Sequence, residues 1–254
     1  MHPFLQVLVV RKKFLQCPAR SSNMEVPRVP TSLHQQLCSY YVRDPDRHEV
    51  RLGNYRIDAI DGHGRLIEIQ CASLAQIRDK IRRLLEQHQV VVVKPLAARR
   101  RITRLDEAGG NQLSSRYSPR RQQFFEIFDE LVHFGVFPHP RLRLDIVMTE
   151  QEELRIPPDE RASWRKKYSV ADRLLVDVQQ TISLKTPTDL WRQLDADLPN
   201  VFTTLELSEF SGMPRWLARK AAWCLRRMDF LKVCGKRGNA IEYCLTRRVR
   251  RRAC

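Results

Sequence analysis

Apolar residues recur at helical steps through LHQQLCSYYV, residues 33–42, placing Leu33, Leu37, Tyr40 and Tyr41 on one side, with Ser32 available as N-cap. After the turn DPDR the period changes to two. HEVRLGNYRIDAI alternates about Gly53-Asn54 and predicts two short strands, and the turn GHGR leads into a third, RLIEIQ. SLAQIRDKIRRLLEQH returns to helical spacing at Leu74, Ile77, Ile81, Leu84 and Leu85 behind the cap Ser73. The unbroken valines of QVVVVKPL suit a strand covered on both faces. Residues 97–117, rich in Gly, Ser and Arg, read as a strand end followed by a mobile basic loop. Residues 118–134 predict an amphipathic helix capped by Ser118 with Pro119 in its first turn, and RLRLDIVMTEQEELRI an extended pair or a strand with a polar turn.

The pattern near the C-terminus is different. TPTDLWRQL, TTLELSEFSG and MPRWLARKAAWCLRRMDF each predict a helix, and LKVC-GKRGNA-IEYCL alternates about a glycine-bearing turn as a hairpin does. Helix, helix, long helix, hairpin is the winged-helix order, and the short Gly-containing turn between the second and third helices makes a helix-turn-helix. The expected fold is therefore α/β, a small mixed-sheet core followed by an α+β winged helix-turn-helix domain. We place a tail over residues 1–23, the α/β domain over 24–156, a linker over 157–170 and the winged helix with its basic tail over 171–254.

Charge narrows the class of partner. Lys+Arg 45 against Asp+Glu 29 gives a formal +16, which favours a polyanion, and the excess is mostly arginine, whose planar fork of donors suits phosphate. The seven cysteines are odd in number and form no CxxC pair, so they read as reduced thiols; Cys224, Cys234 and Cys244 read as core. FLQVLVV near the N-terminus is too short for a targeting segment and its basic run lies on the wrong side, and Met24 is an alternative start. No run approaches the ~18 apolar residues that span a bilayer. A cytoplasmic protein without a membrane partner is expected, and a homodimer is left open.

RIDAIDGHGRLIEIQ carries the candidate chemistry. Asp58 ends one strand, and Glu68 and Gln70 lie two apart on the next, on one face. If those strands pair, three oxygen-bearing side chains converge, a donor set suited to Mg²⁺ (or Mn²⁺), which takes a couple of carboxylates and fills its other positions with water and substrate phosphate. The competing reading puts Asp58 and Glu68 on the wet side of an edge strand, paired with Arg56 or Arg65.

The arrangement D-x9-E-x-Q, followed by a helix and an apolar strand, resembles the PD-(D/E)XK nuclease-like, or restriction-endonuclease-like, superfamily over residues 25–105. The resemblance implies that Asp58 and Glu68 bind the metal, with the Ile69 carbonyl as a third ligand, and that Gln70 stands where a lysine is usual. Lys80 or Lys94 would replace that lysine, while Gln35 and Gln36 stand in the first helix where the family often supplies an acid, and Glu49 is the nearest carboxylate. IEIQ with its following helix, and the later LRRM and GKRG, also resemble a group of bacterial proteins that join such a core to a winged helix.

On the third C-terminal helix Arg215, Arg219 and Arg226 project at near-helical spacing with Lys220 and Arg227 beside them, while Leu217, Ala221, Cys224, Leu225 and Met228 can face inward. Trp216 and Trp223 read as core anchors. A basic helix fits a major groove, Lys236 and Arg237 at the hairpin can reach a neighbouring one, and RRVRRRAC adds phosphate contacts. The expectation is a DNA-binding protein with a metal-dependent nuclease domain hydrolysing phosphodiesters. The rivals are a non-enzymatic winged-helix regulator with a sensor or partner-binding α/β domain, and a scaffold whose winged helix binds protein.

Overall fold

A single mixed sheet of seven strands organises the computed structural model, which describes residues 31–158, 167–194 and 197–246. The expected tail 1–23, the inner part of the expected linker and RRVRRRAC lie outside the described residues. Helix α1 (Ser32–Tyr41) is followed by β1 (His48–Leu52), β2 (Tyr55–Ile60) and β3 (Leu66–Ile69), an antiparallel meander. Helix α2 (Arg78–Leu84) then crosses over to β4 (Val90–Leu105), which runs parallel to β3 in the register Glu68↔Val92. β5 (Gln112–Tyr117) pairs back on β4; after α3 (Ile127–Phe134) come β6 (Leu142–Ile156), parallel to β4, and β7 (Ser169–Leu184), antiparallel to β6. The sheet order is β1-β2-β3-β4-β6-β7 with β5 on β4.

The valine run shows why the sheet is covered on both sides. Val90 and Val92 pack with Ile81, Leu84, Phe128 and Leu131 on the α2/α3 face, whereas Val91 and Val93 pack with Leu33, Leu37 and Ile67 on the α1 face. Successive residues point opposite ways, so each face needs its own apolar set.

The C-terminal elements are α4 (Pro187–Arg192), β8 (Phe202–Thr203), α5 (Thr204–Ser211), α6 (Arg215–Arg227), β9 (Leu231–Arg237) and β10 (Ala240–Leu245). The last two strands form a hairpin about Gly238, at φ +61°, and β8 adds a third strand on β10. Thr203 and Glu206 cap α5 reciprocally, and Gly212 ends it in the left-handed conformation at φ +70°. Leu217, Ala218, Ala221, Ala222 and Leu225 of α6 join the apolar cluster that holds α3 and the sheet.

Several expectations are corrected. β7 extends the large sheet to Leu184, so residues 171–184 belong to the α/β part and not to the C-terminal module; its outward polar residues dilute the alternation that would have marked it. The expected basic loop is the outer half of a 16-residue β4 plus the hairpin strand β5, and the expected extended pair after residue 140 is one strand of 15 residues. The first turn after Ser73 is a 3-10 segment, Leu74–Ile77, because Glu130 accepts the Ser73 hydroxyl and the Leu74 N–H. α3 starts at Ile127 behind a Gln123/Glu126 capping box; Ser118 instead donates its N–H to the Arg100 carbonyl at 2.8 Å, tying the hairpin. Trp216 and Trp223 are exposed, since the smaller apolar stripe of α6 already fills the core, and Cys234 is exposed on the edge strand β9.

Candidate functional site

The ladder opens at Asp58. Pairing of β1 with β2 passes from His48↔Ala59 to Val50↔Ile57, leaving Glu49 and Asp58 between, and β2 pairs with β3 only at Ala59 and Ile60. Glu49 has a left-handed backbone there, φ +57°, and its carboxylate is ion-paired with Arg56. The Ile69 N–H, freed from that ladder, donates to Asp58 Oδ2 at 2.7 Å. His34, from the first turn of α1, brings Nε2 to 3.2 Å of the same oxygen.

Glu68 lies on the α2/α3 face and is 3% exposed. Lys80, on the crossover helix α2, lies with Nζ 2.6 Å from Oε1 and donates to Oε2 at 2.7 Å and to the Arg56 carbonyl at 2.6 Å. Oε1 is buried with no directed hydrogen bond of its own, so the ammonium neutralises the carboxylate without saturating it. Burial and then the charge of Asp58 push the Glu68 carboxyl up to about 7, against Lys80, which lowers it. Burial disfavours a charged His34, but the hydrogen bond with Asp58 and the charges of Asp58, Glu49 and Glu68 outweigh it and raise the imidazole above its ordinary value. Asp58 and Glu68 thus feel one another while each faces its own basic partner.

The other expected residues divide. Gln70 Nε2 donates to the Ser73 carbonyl at 2.6 Å and so holds the turn after β3. Lys94 is 5% exposed, donates to the Ala72 carbonyl and lies 3.0 Å from Glu130 of α3. Lys80 alone among the three candidate replacements touches either acid. Arg56 and Arg65 pair with Glu49 and Asp61, so neither fills the place beside Asp58 or Glu68. Sequence reasoning missed His34 and Glu130; both come from helices remote in the chain, and only His34, on the inward side of α1 one residue after Leu33, carried a local signal.

Among the described residues no group of three or more His, Cys, Asp or Glu is gathered to hold a metal ion. The oxygen donors at hand are the two carboxylates; at Ile69, expected to lend its carbonyl, the contact seen is the N–H donated to Asp58. Such a set is compatible with Mg²⁺, whose remaining positions go to water and phosphate, and the under-bonded Glu68 Oε1 is a donor atom still open.

In the C-terminal module Arg215, Arg219, Arg226, Arg227 and Lys236 are exposed. Arg227 lies over Trp223 at 5.1 Å. Lys220 is turned to Asp129 of α3, and Arg237 is held by Glu206 and Glu242, each at 2.9 Å. Those two cations are committed within the protein.

The geometry defines a mixed α/β sheet domain with an acid pair at an opened strand junction, followed by a helical module with a small sheet. Residues 31–185 match the model of the family described as "Domain of unknown function (DUF8091)", and the chain belongs to that family. The match ends one residue beyond β7. The chain is also similar to an "Uncharacterized protein" of Treponema pallidum (strain Nichols), 31% identical over 214 residues, 84% of each chain. No solved structure matches. Among the described residues no helix is long and apolar enough to cross a membrane.

Proposed function

We propose that this protein binds duplex DNA through a C-terminal winged helix and that its α/β core is a Mg²⁺-dependent phosphodiesterase of the PD-(D/E)XK nuclease-like kind. The observation that carries the reading is the buried Glu68 beside Asp58 with Lys80 at 2.6 Å. The order α1-β1-β2-β3-α2-β4, with β3 and β4 parallel, supports it. So does the sequence of α4, α5 and α6 before a hairpin, with Arg215, Arg219 and Arg226 outward.

Asp58, Glu68 and the Ile69 carbonyl would hold the divalent ion, which when bound would neutralise charge on the scissile phosphate and acidify a water. Lys80 is the ammonium placed to meet a phosphate oxygen, and its pairing with Glu68 favours the carboxylate against burial and the charge of Asp58. His34 orients Asp58. Gln70 and Lys94 position the turn after β3 through Ser73 and Ala72 and do not reach the acids.

One observation favours a second reading. Both acids already face internal basic partners, His34 and Lys80, as they would in a domain that senses or docks without cutting. Supercoiled plasmid incubated with Mg²⁺ or Mn²⁺ separates the two. Nicking by the wild type that is lost in Asp58→Ala, Glu68→Gln and Lys80→Met, with duplex affinity unchanged by fluorescence anisotropy, supports the nuclease. Equal nicking by the acid variants refutes the site. Salt-dependent binding with no nicking in either metal leaves the regulator.

A further inference from the structure

Beyond the acid pair, the outer halves of β4, β6 and β7 bring three guanidiniums onto one carboxylate. Glu153 is 2% exposed. Arg155 donates to its Oε1 from Nε at 2.8 Å, Arg173 Nε donates to Oε2 at 3.1 Å, and Arg100 Nη1 lies 3.5 Å from Oε2. The register Glu153↔Arg173 and Gln151↔Leu175 places the cluster on the face that packs under α1, since Leu175 joins the cluster of Leu33, Leu37 and Val93. The Arg155 guanidinium is laid over the Tyr168 ring at 3.7 Å, which fixes its plane.

One carboxylate cannot satisfy this group. Three guanidiniums carry about fifteen N–H donors against about four lone-pair sites on Glu153. Arg100 Nε is buried without a partner. Burial, and then the charges of Arg173, Arg120 and Arg155, hold the Arg100 guanidinium below its ordinary value against the pull of Glu153, so a fourth arginine stands within reach. The nearby Asp172 is already engaged, accepting the Ser32 N–H at 3.0 Å, the Ser32 hydroxyl and the Arg173 N–H at 2.7 Å. Among the described residues, positive charge and planar donors are therefore left over on one patch.

That patch runs toward the candidate site. α1 links the two: its Ser32 N–H meets Asp172 beside Arg173, its Gln36 accepts the Leu175 N–H at 2.7 Å, and its His34 meets Asp58, while the Cys71 thiol, raised to about 11 by burial, feels both Arg173 and Asp58.

We propose that Arg100, Arg155 and Arg173 form a clamp for the phosphodiester backbone, holding a DNA strand along the α1 side of the sheet toward Asp58. Guanidinium forks match phosphate oxygens in pairs, and three of them against one acid leave two charges uncompensated among the described residues. The proposal rests on the reading that the partner is DNA; it does not rest on cleavage.

The test is the salt dependence of duplex binding by the full chain, measured by anisotropy with two unrelated DNA sequences. Arg100→Gln and Arg173→Gln should each make the slope of log affinity against log salt shallower by about 0.9, and the double variant by about 1.8, equally for both sequences. Arg173→Lys should restore most of the slope. Arg219→Ala in α6 serves as the reference for loss at the other surface, and thermal melts establish that each variant is folded; should Arg173→Gln unfold, Arg100→Gln carries the measurement. Unchanged slopes in folded variants, while the wild type binds and Arg219→Ala weakens, overturn the clamp alone. Loss of inorganic phosphate binding by calorimetry with duplex affinity intact overturns it too, in favour of a small-anion site. No salt-dependent affinity in the wild type would instead remove the DNA reading itself.

Discussion

Replacing Glu68 by Gln should change how stability depends on pH, and the structure sets both sign and size. The folded carboxyl is raised from 4.5 to about 7, by burial first and the Asp58 charge second. Across that interval the folded protein binds more protons than the unfolded one, so stability must fall as pH rises. The contribution is fully present below pH 4.5 and is lost as pH passes about 7. At about 1.4 kcal/mol per tenfold the gap corresponds to roughly 3 kcal/mol. Glutamine has nearly the same shape and does not titrate, and Lys80, with a side chain 22% exposed, can turn to water when its partner is neutral. Urea unfolding of both proteins between about pH 5 and pH 8, plotted as wild type minus variant, isolates the one group from the other carboxylates. The difference should decline by a few kcal/mol and level off above neutrality. Millimolar Mg²⁺ at the upper end should stabilise the wild type and leave the variant unmoved, because only a carboxylate gains from the cation. A flat or rising difference curve would show that Glu68 is not the buried, Asp58-coupled acid described above.

Other outcomes follow from neighbouring contacts. Glu130→Ala leaves the Lys94 ammonium, 5% exposed, without its carboxylate and should cost about 3–5 kcal/mol by urea melt, with Lys94→Met added to Glu130→Leu recovering most of it; a loss below about 1 kcal/mol contradicts the pairing. Leu217→Ala in α6 should cost about 2–5 kcal/mol, whereas Trp216→Ala and Trp223→Ala, at 52% and 42% exposure, should cost about 1 kcal/mol or less; a reversed order would return the tryptophans to the core. Cys38 and Cys224, pushed up to about 12 by burial, should resist alkylation near pH 8 while the exposed Cys234 reacts, as read by peptide mass mapping; equal labelling of Cys38 and Cys234 argues against the packing of α1.

Periodicity was readable wherever burial was one-sided or complete. α1, the meander through Gly53-Asn54 and the valine strand follow the expected pattern because their apolar sets face a core directly, except that Tyr40 of α1 is exposed and Cys38 is buried instead. β5 carried no such signal: every one of its residues is exposed, so nothing in QLSSRY alternates. β7 was obscured for a related reason, being an outer strand whose residues from Val176 to Thr181 are largely wet. The acid pair and Lys80 were legible from spacing, since a helix following a strand must lay some residue across it. Glu130 was not, and His34 only through its place beside Leu33, because contacts that depend on how a helix docks on the sheet leave little mark in local sequence. The tryptophans misled because size was taken for burial, when alanines at 218, 221 and 222 let α6 approach its neighbours closely.

α3 belongs to both parts of the molecule. Its Glu130 meets Lys94 of the sheet, its Asp129 meets Lys220, and the Phe128 carbonyl accepts from the Cys224 thiol. The stretch recognised by the family model stops at residue 185, yet Phe128 and Leu131 would lose their cover if the polypeptide were cut there. A fragment trimmed to that border should be sticky and poorly behaved, and the intact chain should show a single calorimetric peak, because the stretch that the family model covers is shorter than the unit of folding.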